Sequence, residues 1–201
     1  MISIIGLTGF AGCGKTTVAS YLCEAHGFAR VRFADPLKGA ACEMGLTREQ
    51  VDGSLKEQPC SLLCGKTPRW FLQWFGTDII RNQIDQNFWV NAWKLRAQAK
   101  LDAGFRIVAD DVRFPNEAAA ILKFGGMLAR VTRPGQVEIA KVSRQWWQFW
   151  KPRKHASEAH IDSFICDVHL INDGSIEELE RKALHRLVWH EAVPYPLKQA
   201  A

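Results

Sequence analysis

The chain opens on an apolar, β-branched run from Ile2 to Gly6, a pattern that predicts a buried strand. The period then changes. Val18, Ala19 and Leu22 recur at helical spacing, and His26 with Gly27 predicts where that helix stops. Residues 29–33 alternate and predict a second strand, after which Pro36 starts another helix in its first turn. Thr47 to Gln50 has the layout of a helix start, and the stretch from Gly53 to Thr67, carrying glycine, proline and cysteine, predicts a connecting loop. Pro68 opens an amphipathic helix with Trp70, Phe71, Trp74 and Phe75 on one side. A further helix runs from Phe88 to Ala103, with Trp89, Val90, Trp93, Leu95 and Leu101 as its apolar residues. These aromatic stripes read as core, with a base-stacking platform as the alternative. Strands at 105–109, 127–132 and 167–171 alternate with helices at 115–122 and 175–189, the latter capped by Ser175. Strand and helix in alternation predict an α/β fold.

Between the first strand and the first helix lies Gly9-Phe10-Ala11-Gly12-Cys13-Gly14-Lys15-Thr16, a complete G-x-x-x-x-G-K-[ST] loop. Its glycines let the backbone curl so that successive N–H groups point at phosphate oxygens. The helix that follows adds the partial positive charge of its N-terminus. The donor candidates are therefore Gly9, Ala11, Gly12, Cys13, Gly14, Lys15, Thr16 and Thr17. Lys15 is expected to reach the β- and γ-phosphates of ATP and the Thr16 hydroxyl to hold Mg²⁺.

Composition narrows the setting. A chain of 201 residues has the length of one domain, 1–201, with a small inserted lid. The 26 Lys and Arg against 21 Asp and Glu leave a net charge of +5, which suits polyanionic small molecules and is too weak to argue for nucleic acid. No run has membrane-spanning length and the start lacks a signal-peptide layout, so a cytoplasmic protein is expected. The six cysteines match no zinc spacing, and free thiols are expected in a reducing compartment. Cys13, inside the loop, is a candidate for sensitivity to thiol reagents.

Polar residues gather where strands end. Asp35 and Lys38 follow the second strand, in the place where open α/β sheets collect ligands. Helix N-capping by Asp35 is the alternative. Asp110 and Asp111 end the strand at 105–109, the position from which a carboxylate supports Mg²⁺, and either could serve. Arg113 offers a bidentate clamp for phosphate or carboxylate. Arg69 and Arg81 are either ligand contacts or solvated charges. Residues 133–157 interleave cations, among them Arg144 and Arg153, with tryptophans. Three readings stand: a lid closing over the transferring phosphoryl group, a nucleic-acid surface, or a basic loop docked on the core.

Taken together, Gly9–Thr16, FADPLK (33–38), TPRWFLQWFGTDIIR (67–81), DVRFPNEA (111–118), HASE (155–158) and IND-G (171–174) resemble, in the same order, the phage-type deoxynucleoside monophosphate kinases. The resemblance implies a nucleoside monophosphate kinase fold of the P-loop class, with five parallel strands in the order 2-3-1-4-5. It implies transfer of the ATP γ-phosphoryl group to a deoxynucleoside monophosphate to give the diphosphate, for phage DNA precursor synthesis in the host cytoplasm. The acceptor region would span about 36–104 and the lid about 133–157. Lys15, Asp35, Arg113, Arg144 and Arg153 would be catalytic, and Asn172 and Gly174 would lie near the adenine. Asp35, Lys38, Arg69, Trp70, Gln73, Thr77, Arg81, Trp89, Asp111, Arg113, Glu117 and Glu158 would serve the acceptor. Thr16 with Asp110 or Asp111 would serve Mg²⁺. The tryptophan-rich insertion at 143–151 departs from the family pattern and leaves Arg144, Arg153 and Lys154 as candidates for the lid cation. A dephospho-coenzyme A kinase-like enzyme is the nearest rival, against which residues 67–81 argue. A nucleotide-dependent nucleic-acid-binding NTPase is the rival from another class. A homodimer face is left open by the aromatic content.

Overall fold

Five parallel strands in the order β2-β3-β1-β4-β5 carry the larger part of the chain in the computed structural model, which describes residues 2–135 and 164–189. The strands are β1 (Ile4–Thr8), β2 (Phe28–Arg30), β3 (Arg106–Ala109), β4 (Met127–Thr132) and β5 (Val168–Ile171). The order is the one the family resemblance implied. β1 is central, pairing Ile4 with Ile107 of β3 and Thr8 with Arg130 of β4. All five residues of β1 are buried, as a parallel sheet covered on both faces requires.

Two strand boundaries differ from those read off the sequence. β1 lies two residues further on than the expected 2–6, because its pairing with β4 continues to Thr8. β2 stops at Arg30 rather than running to residue 33. The carbonyl of Val31 accepts from the indole Nε1 of Trp93 at 3.0 Å, so the backbone there serves a side chain.

The chain divides into two compact units, Met1–Arg30 with Ala103–Ala201, and Val31–Asp102. In the first, helix α1 (Lys15–His26) lays Val18, Ala19 and Leu22 on Ile5, Leu7, Ala129, Val131 and Leu170 of the sheet. Gly27 ends α1 with a left-handed φ of 67°, its N–H returning to the Cys23 carbonyl.

The second unit is helical. It contains α2 (Asp35–Glu43), α3 (Arg48–Asp52), α4 (Pro68–Gln73) continuing as a π-helical stretch (Trp74–Ile84), and α5 (Phe88–Asp102). Thr47 and Gln50 form a reciprocal capping box at the start of α3, and Thr67 caps α4 by accepting from Trp70 N. Gly76 lies where a Cβ would stand 2.6 Å from Leu37 Cδ2, so a larger residue would push that leucine away. Its carbonyl accepts from Trp89 Nε1 at 2.8 Å. Trp93 is fully buried and stacks on Phe33 with ring centroids 4.6 Å apart. The core reading therefore applies to Trp89 and Trp93. It does not apply to Trp70 and Trp74, which are 42% and 39% exposed and stack on each other at 5.5 Å. Leu95, expected to be apolar core, is 76% exposed on the outer side of α5.

A charge network lies in this unit. Asp52 accepts from both Lys38 and Arg32, and Arg32 is held from its other side by Asp35. Partial burial of the Asp52 carboxylate would raise its pKa, but the hydrogen bond and charge of Lys38, with Arg32 and Lys56, outweigh that and bring it below the ordinary 3.8. A carboxylate with a depressed folded pKa adds stability above its unfolded pKa and loses it as pH falls through the folded one. Asp52→Asn is thus expected to lower stability at neutral pH and to flatten the loss of stability below about pH 4, in urea melts run across that range. An unchanged acid limb in the variant would mean that the network contributes nothing to folding.

The candidate donor site

The phosphate loop gets its shape from glycines and from what lies beneath it. Gly9 has φ 142° and Gly14 φ 111°, both outside the range of ordinary side chains. A Cβ on Gly14 would stand 2.8 Å from Asn172 Nδ2, because that amide lies directly against the loop and donates to the Cys13 carbonyl at 3.0 Å. Cys13 itself is buried, 1% exposed, among the core residues under the sheet end. The expected sensitivity to thiol reagents is therefore corrected: the thiol is packed inside and shielded from them.

Lys15 begins α1 and turns its ammonium back over the loop, donating to the Gly9 and Phe10 carbonyls at 2.8 Å each. Burial pushes the Lys15 pKa below the ordinary lysine value, the positive charge of Arg113 adds to this, and Asp110 opposes it. Lys15, Arg113 and Asp110 thus share one electrostatic environment.

Of the two acidic candidates at the end of β3, Asp110 is the one beside the loop. It is buried, and its Oδ2 accepts from the Thr16 hydroxyl at 3.3 Å. Asp111 is half-buried. Arg113 is exposed. Glu117 is buried and accepts from the backbone N–H of Arg113 at 2.8 Å and of Phe114 at 3.1 Å. It thereby closes the first turn of helix α6 (Pro115–Lys123) and fixes the backbone that carries Arg113. Asn172 and Gly174 follow β5, and Ser175 caps α7 (Ile176–Ala183) in a capping box with Glu178.

Arg30 is absent from the expectations and central to the geometry. Its Nε donates to Asp110 Oδ1 at 3.0 Å and its terminal nitrogen to Oδ2. The alternation of residues 29–33 assigns Arg30 to a strand, and nothing in a strand pattern says which side chain will meet a carboxylate 80 residues later.

The acceptor candidates of the helical unit fall into two groups. Asp35 accepts from the backbone N–H of Arg32 at 3.0 Å and its Nε at 2.7 Å, so it is not the helix N-cap, which is Ala34. Lys38 pairs with Asp52, and exposed Arg69 with Glu57. Arg81 is buried and reaches the Gln86 carbonyl, which overturns its reading as a solvated charge. Gln73 and Thr77 are half-buried, Trp70 is exposed, and Trp89 is buried with its N–H engaged. Arg144, Arg153, Lys154, Glu158 and nearly all of the expected lid lie outside the described residues.

The donor set suits a hard cation. A hydroxyl and a carboxylate are oxygen ligands of the kind Mg²⁺ takes, and among the described residues no cluster of three or more His, Cys, Asp or Glu exists to hold a metal alone. Mg²⁺ ordinarily takes one or two protein oxygens and completes its shell from phosphates and water, so these residues fit it together with a nucleotide. None of the described helices is long and apolar enough to cross a membrane.

Comparison with known proteins agrees with this geometry. The family described as deoxynucleotide monophosphate kinase matches residues 65–183. A protein of Acanthamoeba polyphaga mimivirus, provisionally named deoxynucleotide monophosphate kinase, is 38% identical over 188 residues, covering 87% of this chain and 91% of its own. The deoxynucleotide monophosphate kinase of Enterobacteria phage T4 is 24% identical, over 92% of this chain and 99% of its own. A crystal structure of a provisionally assigned kinase from Chloroflexus aurantiacus shares the fold with TM-score 0.51 at 12% identity, covering 94% and 97% of the two chains. A match over residues 65–183, and a relative this similar over most of both chains, place the protein in the deoxynucleotide monophosphate kinase family.

Proposed function

We propose that the protein transfers the γ-phosphoryl group of ATP to a deoxynucleoside 5′-monophosphate, giving the diphosphate. One observation carries the donor half of this reading. In a chain of this family, the Lys15 ammonium, the glycine loop and the Thr16–Asp110 pair stand together at the end of the central strands. The transfer is direct and in line, with no covalent enzyme intermediate. The acceptor phosphate is already an anion, so no strong general base is called for, and the rate comes from alignment and charge.

Each residue has a physical task in this reading. The loop N–H groups bind the donor phosphates, and Lys15 exchanges the Gly9 and Phe10 carbonyls for phosphate oxygens. Mg²⁺ bound with the donor would supply charge neutralisation on its phosphates. Arg113, exposed on a backbone fixed by Glu117, clamps the acceptor phosphate. Asp35, Lys38, Arg69, Gln73, Thr77 and Arg81 orient the acceptor. Arg144 or Arg153 brings a cation to the transferring group when the lid closes.

Coupled ADP release with ATP and Mg²⁺, run against dAMP, dGMP, dCMP, dTMP and their ribose counterparts, tests the proposal. Turnover with one or more deoxynucleotides is expected. ADP release indifferent to every monophosphate would sink the reading. In the same assay Arg113→Ala is expected to raise KM for the monophosphate at least tenfold, about 1.4 kcal/mol, with ATP affinity within twofold of wild type. An equal loss on both substrates would assign Arg113 to the donor side.

A further inference from the structure

Arg30 forms a two-pronged pair with a carboxylate that is 4% exposed, one residue beyond the end of β3. Its Nε donates to Asp110 Oδ1 at 3.0 Å and its terminal nitrogen to Oδ2, which also receives the Thr16 hydroxyl at 3.3 Å. Both carboxylate oxygens are therefore occupied by donors of the protein itself. For Asp110 to ligate a cation directly, it would have to give up part of this arrangement, and the adjacent guanidinium cancels much of the charge that would attract the cation. The same bonds act on Thr16. An ionised carboxylate only accepts, so the Thr16 hydroxyl proton points at Asp110 and its oxygen lone pairs point away.

We propose that Arg30 is a positioning residue for the donor's divalent cation. It locks Asp110 as an indirect partner acting through water and, through Asp110, turns Thr16 into the direct protein ligand. This rests on the donor-site reading given above. The arrangement suits Mg²⁺, which gives up its waters reluctantly and is held loosely by protein in sites that must also release a nucleotide. A purely structural role, in which Arg30 only neutralises a buried carboxylate, predicts a loss of fold stability and no change in the cation's surroundings.

Mn²⁺ bound together with adenylyl-imidodiphosphate provides the probe, because pulsed electron paramagnetic resonance in D₂O counts the waters on the metal. With Arg30 in place, Asp110→Asn is expected to leave the water count as in wild type. Arg30→Gln, which removes the guanidinium from both oxygens and leaves only the Thr16 hydroxyl on Oδ2, is expected to lose about one water as Asp110 moves into contact, and to bind Mn²⁺ several-fold more tightly. Arg30→Lys keeps the positive charge and the fold but can hold only one oxygen at a time, and it should show the same loss of water. A gain of a water in Asp110→Asn would mean that Asp110 is already a ligand and overturns the proposal. So would unchanged water counts in both folded Arg30 variants. If wild-type protein shows no nucleotide-dependent Mn²⁺ binding, the donor-site reading itself falls, which distinguishes that failure from this one.

Discussion

Lys15→Ala is expected to lower kcat by roughly a thousandfold, the scale seen when one preorganised charge is removed from a developing transition state. The structure explains why the loss should be so large. The ammonium stands over the phosphate loop, bonded to the Gly9 and Phe10 carbonyls, and burial has already stripped part of its water and lowered its pKa. It therefore moves onto phosphate with little further dehydration, from a position fixed by the start of α1. Stability should change little, by no more than about 1 kcal/mol, because loop carbonyls freed of the lysine can turn to water. Single-turnover assays on variant and wild type, alongside thermal melts, measure both quantities. Wild-type turnover in the variant would remove Lys15 from the mechanism, and a large drop in melting temperature would make its role structural.

The largest effect on stability is expected at Trp93. The side chain is completely buried, stacks on Phe33 and donates its indole N–H to the Val31 carbonyl at 3.0 Å. Truncation to alanine leaves a large cavity in a unit of modest size, at a cost of about 3–5 kcal/mol. It also leaves the Val31 carbonyl without its donor, adding about 1 kcal/mol or more. Trp93→Phe retains most of the ring and loses the hydrogen bond, so it should fall well short of the alanine variant. Urea unfolding of the two variants separates packing from hydrogen bonding. Equal midpoints would mean that the hydrogen bond alone matters, against the burial seen here.

The contrast between Trp93 and Trp70 marks where sequence reasoning succeeds and where it stops. Strands with unbroken apolar runs, such as β1, were legible because burial on both faces leaves no room for polar positions. The glycine loop was legible because its backbone requirements restrict residue type at fixed spacing. Aromatic spacing alone could not separate Trp93, facing inward, from Trp70 and Trp74, which stand on the outside, because periodicity marks a stripe and not what covers it. Asp110 and Asp111 were equally placed in the sequence. Only the direction of each side chain at the strand end brings one to Thr16 and leaves the other half-buried beside it. Arg30 and Asp52 carry no mark in the sequence for a related reason. Each matters through a partner distant in sequence, 80 residues for Arg30 and 20 or 14 for Asp52, and one chain alone carries no record of pairing.

The bond from Asn172 to the Cys13 carbonyl joins residues 159 positions apart. On the ribosome, the glycine loop thus emerges long before the amide that steadies it. A nascent chain can form β1 and α1 early, yet β3, β4 and β5 must all follow before the loop acquires its final brace. Prematurely terminated fragments lacking residue 172 would carry the full loop motif without this support. The site is consequently completed only after the last strand of the sheet has been made.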